Sequence, residues 1–134
     1  MTGIYALIRP DGGLEFRDGV PEQVRRDADP HHGASAAFTI QLPGRGGNGL
    51  HGHVADTSAL DSDAHPPNRV AGPLVAALGG PDQYLFGNLT ICGSRTTPDT
   101  GETTLCGLTE AQRRLIRDVH GLSPRKPQAP DRSG

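Results

Sequence analysis

The sequence predicts a small α+β domain in which a mostly antiparallel sheet of about five to six strands packs with two to three helices. Three observations lead there. Short apolar or alternating segments recur between turn residues, at positions 4–9, 14–17, 38–42, 50–54, 85–92 and 103–106. Two further stretches space their apolar residues as a helix does and carry capping residues at their starts. With 19 glycines and 12 prolines in 134 residues, much of the chain must be turn and loop.

Residues 4–9 are apolar on both faces and meet Pro10-Asp11-Gly12-Gly13, after which Leu14-Glu15-Phe16-Arg17 alternates, so a hairpin is expected. A short helix should follow, with Pro21 in its first turn and Val20, Val24 and Ala28 on one side, ending near Asp29-Pro30. Phe38, Ile40 and Leu42 alternate with Thr39 and Gln41. They predict a half-buried strand that returns, through a glycine-rich loop, into residues 50–54 as a second hairpin. Residues 55–67 are polar and read as a connection.

Asn68 is a suitable N-cap for a helix that buries Val70, Leu74, Val75 and Leu78 and stops at Gly79-Gly80. Residues 85–92 form the strongest strand after the first, with Leu85, Leu89 and Ile91 on one face. Residues 103–106 can pair back to it, which brings Cys92 and Cys106 to one hairpin. Thr109-Glu110-Ala111-Gln112 fits a capping box before an apolar stripe of Leu108, Leu115, Ile116 and Val119 that ends at Gly121. Residues 1–122 are expected to form a single domain. From position 123 prolines alternate with polar and charged residues, which predicts a disordered tail over 123–134.

Hydrophobic residues make up 34% and aromatics 4%, so the core must be lean and built from Leu, Ile, Val and Ala. A net charge of -2 and a pI of about 6.3 disfavour, without excluding, a polyanionic partner. Lys126 is the one lysine, and arginine supplies every other basic side chain. Residues 1–10 lack the pattern of a secretory leader and no run approaches the ~20 apolar residues of a membrane helix, so a cytoplasmic protein is expected. In that compartment Cys92 and Cys106 read as two thiols.

The sharpest chemical feature is His51-Gly52-His53. Residues two apart on a strand project to the same face, about 6 to 7 Å apart at the backbone, and can converge on one divalent metal. Asp56 is the nearest candidate third ligand, and Asp61, Asp63 and His65 follow. The spacing is similar to that of cupins and zinc hydrolases, but no cupin glutamate follows His53 and Asp56 is misplaced for HxHxDH. The competing reading has Leu50 and Val54 facing inward and both histidines facing solvent.

Other signals carry less. Gly44-Arg45-Gly46-Gly47-Asn48-Gly49 matches GxGxxG but precedes a strand-like segment, so a hairpin connection is expected and no cofactor. His31 and His32 fall in a Gly- and Ala-rich loop. Cys92 becomes a nucleophile only with a base such as His120 beside it; packing is the simpler role. No GxSxG, HExxH, CxxC or Walker motif is present.

Three segments together resemble the domain-of-unknown-function family 3846, found on actinobacterial plasmids, integrative elements and phages. They are Ile4-Tyr5-Ala6-Leu7-Ile8-Arg9-Pro10-Asp11-Gly12, Pro67-Asn68-Arg69-Val70-Ala71 leading to Leu78-Gly79-Gly80, and Leu85-Phe86-Gly87-Asn88-Leu89-Thr90-Ile91-Cys92-Gly93. The resemblance spans roughly residues 4–93, and the helix start at Leu108-Thr109-Glu110 fits the same layout. It implies a small accessory protein of mobile DNA, with no active site to carry over.

With no catalytic set assembled, the sequence points to a non-enzymatic module that contacts a host or element-encoded protein through its loops. Two alternatives stand beside it. One is a metal-dependent enzyme centred on His51 and His53. The other is a nucleic-acid-associated protein using Arg113, Arg114 and Arg117 with Arg125 and Lys126, a charge diluted by Glu110 and Asp118.

Overall fold

The computed structural model describes residues 3–19, 21–29, 35–43, 48–55 and 66–121. Strands β1 (Gly3–Ile8) and β2 (Leu14–Gly19) pair as an antiparallel hairpin, as expected. Its turn closes through Arg9 N–H to the Gly13 carbonyl (3.0 Å) and Gly12 N–H to the Arg9 carbonyl (2.8 Å). Gly12 has φ 93°, a conformation glycine adopts at no steric cost. Helix α1 (Pro21–Ala28) begins on its proline and buries Val24 and Ala28, while Val20 lies outside the described residues.

Strands β3 (Ser35–Gln41) and β4 (Asn48–Ala55) form the second hairpin. Their register shifts between Thr39 and Gln41, so the period-two pattern breaks there. Leu42 consequently falls beyond the strand and stands 81% exposed, where alternation with Phe38 and Ile40 predicted burial. Helix α2 (Ala71–Ala77) buries Leu74 and Val75, with Val70 and Leu78 flanking it, and ends at Gly79, whose φ is 102°.

Strand β5 (Leu89–Thr96) starts later and runs further than the expected 85–92. Gly87, at φ 73°, breaks the extended backbone before it, and Leu85 is buried from a loop instead of a ladder. Strand β6 (Thr103–Cys106) pairs back on β5, with Cys106 opposite Gly93. Helix α3 (Glu110–Gly121) opens on the predicted capping box: Thr109 N–H donates to Gln112 Oε1 (2.9 Å) and Gln112 N–H to Thr109 Oγ1 (3.1 Å). Its buried line runs through Ile116 with Val119, and Leu115, one position away, is left 40% exposed.

The six antiparallel strands lie in the order β2-β1-β5-β4-β3, with β6 beside the second half of β5. Strands β1 and β6 therefore flank β5 end to end. A Cβ on Gly107 would sit 2.8 Å from Gly3 Cα, and Leu108 N–H bonds the Ile4 carbonyl at 2.8 Å. Ala6, Ile8, Leu50, Val54, Leu89 and Ile91 present one sheet face to α2 and α3, forming the main core. Tyr5 and Cys92 meet Val24 of α1 on the other face. The fold is thus α+β, with a six-stranded antiparallel sheet and three helices among the described residues.

Polar side chains fasten the layers. Asn68, 3% exposed, accepts N–H from Ala71 (3.0 Å) and Val70 (3.3 Å), so its oxygen serves the turn leading into α2, while the N-cap position itself falls two residues later than expected, at Val70. Its amide also donates to the carbonyls of Ile8 (3.1 Å) and Gly87 (2.8 Å), tying α2 to the end of β1 and the approach to β5. Gln41 reaches the Leu78 carbonyl at 2.7 Å, and Gln112 the Gly49 carbonyl at 3.0 Å. No helix among the described residues is long and apolar enough to cross a membrane.

Candidate functional site

The β4 register places His51 opposite Cys92 and His53 opposite Thr90, so all four side chains point toward the layer occupied by α1. Helix α1 is fixed over that face by two hydrogen bonds. Thr90 Oγ1 donates to the Val24 carbonyl at 3.0 Å, and Asn88 Nδ2 to the Asp27 carbonyl at 2.9 Å. The expected solvent-facing arrangement of the histidine pair is therefore corrected for His53, which is 2% exposed. Alternation correctly separated the histidines from Leu50 and Val54, but it cannot show that a helix covers the polar face as well.

Nδ1 of both His51 and His53 is buried and has no hydrogen-bond partner among the described residues. Burial lowers the pKa of both rings. For His53 it falls to about 4, through burial first and then the charges of His51 and Arg25, so this imidazole is neutral at physiological pH. A neutral imidazole is the form that ligates metal. No group of three or more potential ligands occurs among the described residues. His51 and His53 are the pair that could hold an ion, and Asp56, Asp61, Asp63, His65, His31 and His32 lie outside the described residues.

Cys92 shares this face but is not a prepared nucleophile. Burial, reinforced by Cys106, pushes its thiol up to about 12. His120, the base weighed for it, belongs to the opposite layer, where its Nε2 contacts the Gly12 carbonyl at 2.7 Å. Both cysteines are free thiols. Toward the β2 edge, Tyr5 donates to Asp27, Arg17 bridges Asp27 (3.0 Å) and Glu15 (2.9 Å), and Arg9 pairs with Glu15. Tyr5 is pushed up to about 12, by burial and then by Asp27. It stays a hydrogen-bond donor, and the network reads as a fastening for α1.

A second concave feature lies near the N-terminus of α2. Pro67, Arg69, Pro73, Asp82, Tyr84 and Phe86 line an open groove of about 840 Å³. Its floor is stiff: Asn68 N–H bonds the Leu85 carbonyl (2.9 Å), Gly87 N–H bonds the Pro66 carbonyl (2.7 Å), and Pro67 bridges Phe86. Gly72 lets the helix approach closely, since a Cβ there would stand 2.6 Å from the Gln83 carbonyl oxygen. Tyr84 is 94% exposed, and neither Asp82 nor Arg69 forms an ion pair among the described residues.

Asn68 and Arg69 belong to the segments that carry the family resemblance, whereas Tyr84 lies outside them. The available signal is an aromatic that directly follows the turn-rich Gly80-Pro81-Asp82-Gln83 and stands two residues from Phe86. Of the basic residues that could meet nucleic acid, Arg113, Arg114 and Arg117 are engaged on α3, and Arg125 and Lys126 lie outside the described residues. Arg113 donates to the Leu108 carbonyl (3.0 Å), Arg114 pairs with Glu110 (3.5 Å) and Arg117 lies 5.5 Å over the Phe16 ring. Compared with known proteins, the chain matches no family model, no curated protein and no solved structure.

Proposed function

We propose that this protein is a non-enzymatic interaction module whose contact surface is the groove between α2 and the loop carrying Tyr84. The exposed Tyr84 ring carries the reading. A large aromatic left in water beside an apolar-lined groove is contact area whose burial a partner can gain, and tyrosine is favoured at interfaces because its body is apolar and its tip polar. Asp82 and Arg69, which form no ion pair among the described residues, supply charges of both signs that a partner can satisfy. The family resemblance adds the context of an accessory protein of mobile DNA that meets a host or element-encoded protein.

Affinity capture from a lysate of the native organism tests the proposal, comparing wild type with Tyr84→Ala and with Asp18→Asn on the distant β2 edge. Proteins held by wild type and by Asp18→Asn but lost on Tyr84→Ala are expected. An identical captured set on all three refutes the groove as contact surface.

A second reading, metal binding at His51 and His53, is favoured by the two unpartnered Nδ1 atoms on one sheet face. Elemental analysis of the purified chain together with melting before and after chelation tests it. Stoichiometric zinc, iron or nickel, with a melting temperature lowered by chelation, is the expected result. A metal-free chain indifferent to chelator ends this reading.

A further inference from the structure

The chain itself carries a segment suited to that groove. Pro124-Arg125-Lys126-Pro127-Gln128-Ala129-Pro130 repeats proline at every third position. A polyproline II helix has three residues per turn, so a segment of this kind aligns its prolines along one edge, and such edges dock into grooves lined by aromatic rings. The groove offers Tyr84, Phe86, Pro67 and Pro73 as that lining. Charges match as well: Arg125 and Lys126 can meet Asp82, which has no ion pair among the described residues, and Asp131 can meet Arg69.

We infer that residues 124–131 are an intramolecular ligand of the Tyr84 groove, an inference that rests on the groove being the contact surface proposed above. The end of α3 makes this possible. His120 holds the last helical turn to the Gly12 carbonyl at 2.7 Å, while Asn68, beside the groove, holds the Ile8 carbonyl at 3.1 Å. Ile8 and Gly12 are separated by the β1–β2 turn, at most roughly 14 Å of chain. The links from Gly121 to Pro124 span about 10 Å more. A tether this short gives an effective concentration of order 1 mM, so a segment that binds in trans at only ~0.1 mM is docked about nine-tenths of the time. Any partner of the groove must then displace the tail, which makes it an autoinhibitor of the same site.

The test uses the full chain. It has no tryptophan and two tyrosines, and Tyr5 is buried at 1% exposure, so quenching of tyrosine emission by acrylamide reports chiefly on Tyr84. Wild type is compared with Pro124→Ala/Pro127→Ala/Pro130→Ala and with Asp82→Lys, while amide NMR shifts are followed at Arg69, Gln83, Tyr84 and Phe86. Several-fold stronger quenching in both variants, shifts confined to those amides, and reversal when a synthetic peptide of residues 122–134 is added to the triple-proline variant support the inference. Equal quenching and superimposable spectra of wild type and variants overturn it. Protection of Tyr84 that disappears on dilution also overturns it, in favour of tail exchange between two copies. If the tail substitutions change nothing while Tyr84→Ala still loses a captured protein, this inference fails and the proposed function survives. If neither matters, both fail.

Discussion

Acid should unfold this protein through His53. Its ring is 2% exposed beneath α1, and burial, followed by the charges of His51 and Arg25, holds its pKa at about 4 against an ordinary 6.5. Below 6.5 the unfolded chain takes up a proton that the folded one refuses until about 4, so the unfolded state binds more protons throughout that window. Stability contributed by the neutral ring is complete above 6.5 and is lost as the pH falls toward 4. The gap corresponds to about 3.4 kcal/mol, of which about 2.4 is lost between about pH 7 and about pH 4.5. Against a typical domain stability of about 5 to 15 kcal/mol, that is enough to shift a denaturation midpoint visibly. His51 adds loss in the same direction, and Cys92, at about 12, is silent there. The assay is urea unfolding across this pH range, with chelator present, for wild type and His53→Leu. The leucine variant should equal or exceed wild type near neutrality, because it removes a buried unpartnered nitrogen, and its midpoint should fall less in acid. Parallel pH profiles for the two proteins would refute the argument.

Other substitutions probe the fastenings. Asn68→Ala removes a cap from Ala71 N–H and leaves the carbonyls of Ile8 and Gly87 without their donor, and a loss of about 3 to 5 kcal/mol is expected by chemical denaturation. Asn68→Asp keeps the capping oxygen but sets a carboxylate against both carbonyls; it should be no better than alanine, and rescue by aspartate would show that capping alone matters. Gly107→Ala drives a Cβ to 2.8 Å from Gly3 Cα and 3.0 Å from Ile4 N, so about 1 to 3 kcal/mol should go, with loss of hydrogen-exchange protection at Leu108. Thr109→Ala deletes half of the α3 capping box and should cost about 1 kcal/mol, read as a lowered Tm.

Much of the fold was legible because its determinants are local. The turn at Gly12 and Gly13, the capping box at Thr109 and Gln112, and the stop at Gly79 are fixed by residues within a few positions of one another. Asn68 was legible in part: its cap is local, whereas its bonds to Ile8 and Gly87 join positions the chain brings together only on folding. The displaced β5 boundary and the outward Leu42 trace to a positive-φ glycine and a register shift, which interrupt alternation without altering composition. For the candidate sites, strand periodicity placed His51 and His53 on one face, but burial of His53 depends on α1 crossing that face, a tertiary event. The groove stayed hidden because residues 66–73 and 82–87 form it only when paired.

The place of β5 at the middle of the sheet has a consequence in time. Its pairing with β1 joins Ala6 to Ile91, and its pairing with β4 joins His51 to Cys92, so the contacts that knit the two hairpins into one sheet join positions far apart in the chain, those of β1 most of all. Closing such large loops comes before their reward, and sheets built that way assemble slowly. The first hairpin must therefore wait, with the inward edge of β1 unpaired, until residues 89–91 arrive to complete it. During that wait the apolar run Tyr5-Ala6-Leu7-Ile8 is open to mispairing with another copy, and the rate at which β5 docks sets how long the hazard lasts.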